Sequence, residues 1–158
     1  MSRILTTLLI AAGLVGCPEH RAIAQTGGTA STPEQVQTCG LSVSTQRVPV
    51  PPGTPANVAA FHGFWADGRW NDVLCAALMV RSVTPDGRAD VSYIHGAHPP
   101  WRITAPGEAR VSGRITGNQL FLTLANGAAV AYTMSSADVL SATYTLRGRT
   151  SIAELRRQ

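Results

Sequence analysis

The sequence predicts an all-β protein, a roughly eight-stranded antiparallel up-and-down barrel that follows a signal peptide and a flexible leader. Three observations carry that prediction. From Trp70 to Arg157 apolar and polar residues alternate with the period of strands. Turn signals recur at short intervals (Asp86-Gly87, Gly117-Asn118, Asn126-Gly127, Gly148), so consecutive strands pair as hairpins. The ten residues Phe61 to Trp70 hold two of the three Trp and two of the three Phe, which marks a packed segment where the fold opens.

Residues 1–17 read as a signal peptide with a lipobox. Met1-Ser2-Arg3 is a short basic start and Ile4 to Gly16 carries no charge. A bilayer span takes about 20 apolar residues, so this run is a targeting segment rather than a lasting anchor. It ends Leu14-Val15-Gly16-Cys17, which resembles a bacterial lipobox. That resemblance implies a diacylated Cys17 as the mature N-terminus. Ala22-Ile23-Ala24 before Gln25 has the small-x-small form of an ordinary signal-peptidase site and stands as the competing reading. Both readings export the protein. The expected location is the periplasm, as a lipoprotein that meets the membrane only through its anchor.

The chain has three Cys, and either cleavage takes Cys17 out of the thiol pool. Cys39 and Cys75 can then pair in an oxidising compartment. The closed loop of about 36 residues would add on the order of 3.5 kcal/mol in the chain-entropy picture. The other reading is two separate thiols, with Cys75 buried in a strand.

Residues 18–60 form a Pro/Gly/Thr-rich leader. Gly27 to Pro33 has linker chemistry, Leu41-Ser42-Val43-Ser44 alternates as a short strand, and Pro49, Pro51, Pro52 and Pro55 keep their segment extended. Residues 61–158 form the barrel. Val73 to Val83 is apolar on both faces, so its outer face needs a cover, and the leader can supply it. Thr84-Pro85-Asp86-Gly87 turns into Arg88 to His95, with Val91, Tyr93 and His95 on one face. Trp101 to Thr104 reads as a short extended piece. Val111, Gly113 and Ile115 face inward from Arg110 to Thr116, and Gly117-Asn118 fits a type II′ turn. Leu120, Leu122 and Leu124 follow on the inner face. Asn126-Gly127 leads into Val130, Tyr132 and Met134, and then Leu140, Ala142, Tyr144 and Leu146 point inward. Thr150 to Arg157 closes the sheet.

The composition bounds the function. With 44% hydrophobic and 14% charged residues the chain builds a core. Every base is Arg or His, and the net charge of +4 is spread out. Only Arg147/Arg149 and Arg156/Arg157 cluster, without interleaved aromatics, which argues against nucleic-acid binding. There is no Gly-x-Ser-x-Gly elbow and no phosphate-cradling loop, and Asp86 and Asp90 sit in or beside a turn. His95-x-x-His98 has a ligand-like spacing with Asp67 or Asp72 as a further donor. It lies in a Pro-flanked loop with no second pair, so no metal, cofactor or catalytic residue is assigned.

Gly63-Phe64-Trp65, ahead of the first barrel strand, resembles the Gly-x-Trp signature of lipocalin-like (calycin) barrels. The wider Gly63-x-Trp65-x-x-Gly68-x-Trp70 pattern is similar to the opening of small exported bacterial domains. The resemblance implies an Arg near the last strand lying over the Trp, a part that Arg147 or Arg149 would take. Lipocalins proper are longer and carry a C-terminal helix, so a spacious cup is not expected. The reading is a non-catalytic binding module for a small apolar ligand, with Trp65, Trp70, Tyr93, Tyr132 and Tyr144 as candidate ligand-binding residues. The alternative is a periplasmic barrel that binds an envelope protein, for example as a hydrolase inhibitor.

Overall fold

A computed structural model describes residues Glu34–Gln158. The signal-peptide, lipobox and Cys17 expectations lie outside these residues. Eight antiparallel strands close into a barrel: β3 (Gly63–Trp70), β4 (Leu74–Val83), β5 (Arg88–His95), β6 (Gly107–Thr116), β7 (Gln119–Thr123), β8 (Ala129–Ser136), β9 (Val139–Leu146) and β10 (Arg149–Arg157). Each pairs with its sequence neighbours, and β10 returns to β3, so the sheet has no free edge. A separate hairpin of β1 (Gln35–Thr38) and β2 (Leu41–Ser44) precedes them, followed by one short helix, α1 (Ala56–Ala59).

The interior is built as the alternation predicts. Leu78, Val80, Val91, Leu120, Tyr132, Leu140 and Leu155 are fully or almost fully buried in one continuous core. Gly113 faces inward because Leu120 and Leu122 occupy its side-chain space: a Cβ there would lie 2.7 Å from a methyl of each. The Arg147-Gly148 turn has both residues at positive φ. Gly117 has φ +60° while Asn118 does not enter the left-handed region, as a type II′ turn requires. The Asn126 turn is longer than two residues. Leu124 N–H bonds Ala128 O, Gly127 N–H bonds Leu124 O, and Gly127 alone takes positive φ. Trp101 is not in an extended piece but ends a 3-10 turn, Pro99–Trp101, because the paired prolines cannot serve a ladder.

One end of the barrel is closed. Val58 of α1 and Phe61 are buried in the core there, and Asn57 Nδ2 donates to Gly117 O at 2.7 Å. Trp65 Nε1 donates to Phe61 O at 3.0 Å. Arg157, near the end of β10, lies with its guanidinium carbon 4.0 Å from the Trp65 ring centre. Its Nη2 and Nη1 donate to Ala60 O and His62 O at 2.6 and 3.2 Å. The Arg over the Trp is therefore Arg157, not Arg147 or Arg149. The register sets this: Arg157 pairs with Trp65 across β10 and β3, whereas Arg149 starts β10 at the opposite end.

The β1–β2 hairpin covers the outer face of β4. Val43, Phe64, Ala66, Ala77, Met79 and Ile94 form a second buried cluster, with Val36, Cys39 and Leu41 packed on it. Cys39, at positive φ in the hairpin turn, forms a disulfide with Cys75. Arg81 clasps the far side. Its Nη1 donates to Ser44 O, its Nε to Ser92 Oγ, and its Nη2 meets Glu108 at 2.9 Å.

Candidate functional site

The other end of the barrel opens into a cavity of about 480 Å³. Its wall follows from which strands end there. Trp70 closes β3 and Leu74 opens β4, Tyr93 and His95 come from the end of β5, and Tyr144 comes from the end of β9. Ala109 contributes a small side chain from β6. The lip is made by loops: Trp101 and Ile103 between β5 and β6, and Leu124 to Asn126 between β7 and β8.

Trp70 reaches this site through a bulge. Trp65 and Trp70 are five positions apart, and odd spacing in a regular strand puts two residues on opposite faces. The β3–β4 register shifts between Trp65 and Gly68, with Asp67 at φ +60°. The extra residue resets the alternation, and both indoles point inward.

The aromatic wall is held by a few polar contacts. The Trp70 and Tyr144 rings meet at 5.8 Å with planes tilted by 59°. Asn126 fixes the Tyr144 hydroxyl with an Nδ2 donation at 3.0 Å, while its Oδ1 accepts from Ala128 N–H. The sequence marked Asn126 as a turn residue only. His95 Nδ1 lies 2.9 Å from Gly96 O; since a carbonyl only accepts, Nδ1 carries the proton. The imidazole rests on Gly107, where a Cβ would fall 2.7 Å from Nε2. Ser151 Oγ accepts from Asn71 Nδ2 at 3.1 Å.

Burial raises the Tyr93 phenol well above the ordinary range; the neighbouring Trp70 indole opposes the rise and the Tyr144 phenol adds to it. Burial raises Tyr132 as well. Both are neutral hydroxyls at any physiological pH. Outside Trp101 the surface turns polar, with Asn71, Arg102 and Arg149 around a shallow groove.

The five predicted ligand-binding residues do not all meet. Trp70, Tyr93 and Tyr144 come together at the cavity. Trp65 does not: it is fully buried at the closed end, bonded to Phe61 and covered by Arg157. Tyr132 is fully buried in the core and does not line the cavity wall. Trp101, Ile103, Leu74 and Leu124 were missed as site residues. For Trp101 a signal existed: a large aromatic placed in a proline-flanked loop, where no core demands it. Among the described residues no group of three His, Cys, Asp or Glu side chains is placed to hold a metal. His98 instead packs edge-on against Trp101 at 4.9 Å.

No protein-family model matches the chain, and neither does any curated protein. Among solved structures the chain is similar to one described as a de novo design of a fluorescence-activating beta barrel. The TM-score is 0.48 at 19% identity, over 66% of this chain and 100% of that one.

Proposed function

We propose that the protein is an exported, non-catalytic binding module of the bacterial envelope that takes a small apolar ligand at the open end of its barrel. The observation that carries this reading is the apolar cavity of about 480 Å³ between Trp70, Tyr93 and Tyr144. Its volume is that of a small-molecule site, and its wall is aromatic and aliphatic with few polar groups. A lipocalin-like build is supported by Gly63, Trp65 and Arg157, with the arginine of the last strand stacked on the first-strand tryptophan. Export is supported by the Cys39–Cys75 disulfide, which persists in oxidising compartments. Lipidation of Cys17 rests on the Leu14-Val15-Gly16-Cys17 pattern.

Native mass spectrometry of the mature protein, purified from bacterial envelopes without detergent exchange, tests the reading. The expected result is an adduct of roughly a few hundred daltons that leaves on collisional activation. A bare protein mass, together with no thermal shift across a panel of apolar small molecules, would sink it.

A further inference from the structure

Charge is distributed unevenly between the two ends of the barrel. Eleven arginines lie among the described residues, and six of them are held in ion pairs. Of the other five, Arg69, Arg102, Arg147 and Arg149 stand at the open end, and only Arg47 does not. Asp72 is the sole carboxylate in the connections that form that end. Positive charge gathered around one mouth without counter-charge raises the local concentration of anions there.

Two of these arginines lie where a ligand of the cavity would emerge. Arg102 and Arg149 line the shallow groove outside Trp101. Groove and cavity adjoin, since Trp101 and Ser151 line both. What the groove offers is donors. Ile152 N–H donates to Asn71 Oδ1 at 3.0 Å, and this turns the amide so that Asn71 Nδ2 donates to Ser151 Oγ at 3.1 Å. Ser151 thus accepts from Asn71 and keeps its own hydroxyl proton to give. The two guanidiniums can only donate, and their planar forks match the geometry of a carboxylate. The cavity wall has no Arg, Lys, Asp or Glu, so an anion inside it would be unbalanced. In the groove an anion keeps its contact with water and gains two cations.

On the reading that the cavity is a ligand site, we propose that its ligand is an anionic amphiphile. The apolar body fills the space between Trp70, Leu74 and Tyr144, and a carboxylate head passes Ser151 to lie between Arg102 and Arg149.

The test is a matched pair of probes, 4-(2-naphthyl)butanoate and its carboxamide, titrated into the disulfide-bonded protein by calorimetry. The carboxylate is expected to bind about fivefold more tightly at low ionic strength. The gap should shrink below about twofold in roughly 0.5 M salt. Arg102→Gln/Arg149→Gln should bring the two probes within about twofold at low salt and leave the carboxamide affinity unchanged. Arg88→Gln/Arg114→Gln removes the same two charges from the far end of the barrel and should keep the gap. A third probe, 2-acetylnaphthalene, has no head to reach the groove and should bind all three proteins alike. Equal affinity for the carboxylate and the carboxamide, or a gap that survives the loss of Arg102 and Arg149, overturns the anionic head and leaves the cavity a ligand site. Equal affinity together with sedimentation on phosphatidylglycerol vesicles, lost in Arg102→Gln/Arg149→Gln, also overturns it and assigns the arginines to a membrane surface. Binding of none of the three probes overturns the proposal together with the binding reading it rests on.

Discussion

Trp65 and Trp70 show how one bulged residue divides a strand between structure and site. Both are fully or almost fully buried, but Arg157 seals the first and the second forms a cavity wall. The aromatic pair was legible in the sequence; the bulge was not. Asp67 is a residue type that tolerates the left-handed region, but nothing local forces it there, and only the β3–β4 register reveals the shift. The identity of the sealing arginine was hidden for a similar reason. Arg147 and Arg149 lie near the start of the last strand, and in an antiparallel pair it is the strand's end that meets the start of its partner. Burial lowers the Arg157 pKa from its ordinary value, and Arg47 adds to that against the pull of Asp138. The pKa stays high enough that the guanidinium remains charged. Arg157→Ala removes the stacking on Trp65 and three donations, and leaves the Ala60, His62 and Ala137 carbonyls without those donors. The expected loss is about 2–3 kcal/mol in urea denaturation. Arg157→Lys should recover less than half, since an ammonium cannot span these carbonyls as a planar fork does. A loss below about 0.5 kcal/mol for Arg157→Ala would remove this contact from the account of the closed end.

At the scale of elements, β4 explains the leader. A strand apolar on both faces needs a cover on each, and this one has the barrel core inside and the β1–β2 hairpin outside. That much was readable from Val73 to Val83 with the Cys39–Cys75 pair, because face assignment needs only the period of two. The clasp was not readable, since Arg81 and Glu108 are brought together only by the pairing of β4, β5 and β6. Replacing both Cys39 and Cys75 by Ser is expected to free the hairpin before the barrel unfolds. The denaturant midpoint should fall by an amount corresponding to about 3–4 kcal/mol at most, for a bridge that closes a separation of 36 residues. Exposure of Phe64, Met79 and Ile94 should raise binding of an anilinonaphthalene dye; an unchanged dye signal would mean the hairpin docks without its disulfide. The clasp also carries a pH dependence. The Ser92 hydroxyl and the Arg81 guanidinium hold Glu108 below its ordinary value of 4.5, against the opposing effect of burial. A lowered folded pKa gives stability that is complete above the unfolded value and is lost as pH falls through the folded one. Glu108 is partly exposed, so the effect is about 1 kcal/mol or less. The stability difference between the wild type and Glu108→Gln is therefore expected at neutral pH and should vanish on acidification below 4.5. A difference that persists unchanged into strong acid would show that the carboxylate charge is not its source.

At the scale of the molecule, the barrel separates its two ends. The closed end spends α1, Phe61, Trp65 and Arg157 on sealing, and the open end leaves its aromatic residues unsealed around a cavity. Inward alternation alone does not distinguish these ends, because both are lined by the same residue types. The difference lies in loop length: the connection from β5 to β6 is long enough to raise Trp101 and Ile103 into a lip, while the turns at the far end are tight. Ala109 offers a way to test whether the cavity is used, because it is a small residue of β6 that lines it. Ala109→Trp places an indole in open space, where it displaces no packed side chain. The free protein should keep a denaturation free energy within about 1 kcal/mol of the wild type. A ligand at a hundred times its Kd stabilises the wild type by about 2.7 kcal/mol. For a barrel of this size that is a rise in Tm on the order of 5–10 °C, read with 2-acetylnaphthalene by scanning calorimetry. In the Ala109→Trp variant the rise should disappear, while Phe121→Ala, a truncation of an exposed side chain on the outer face, should leave it intact. A full thermal shift in the filled variant would place the ligand elsewhere on the barrel and end the assignment of this cavity.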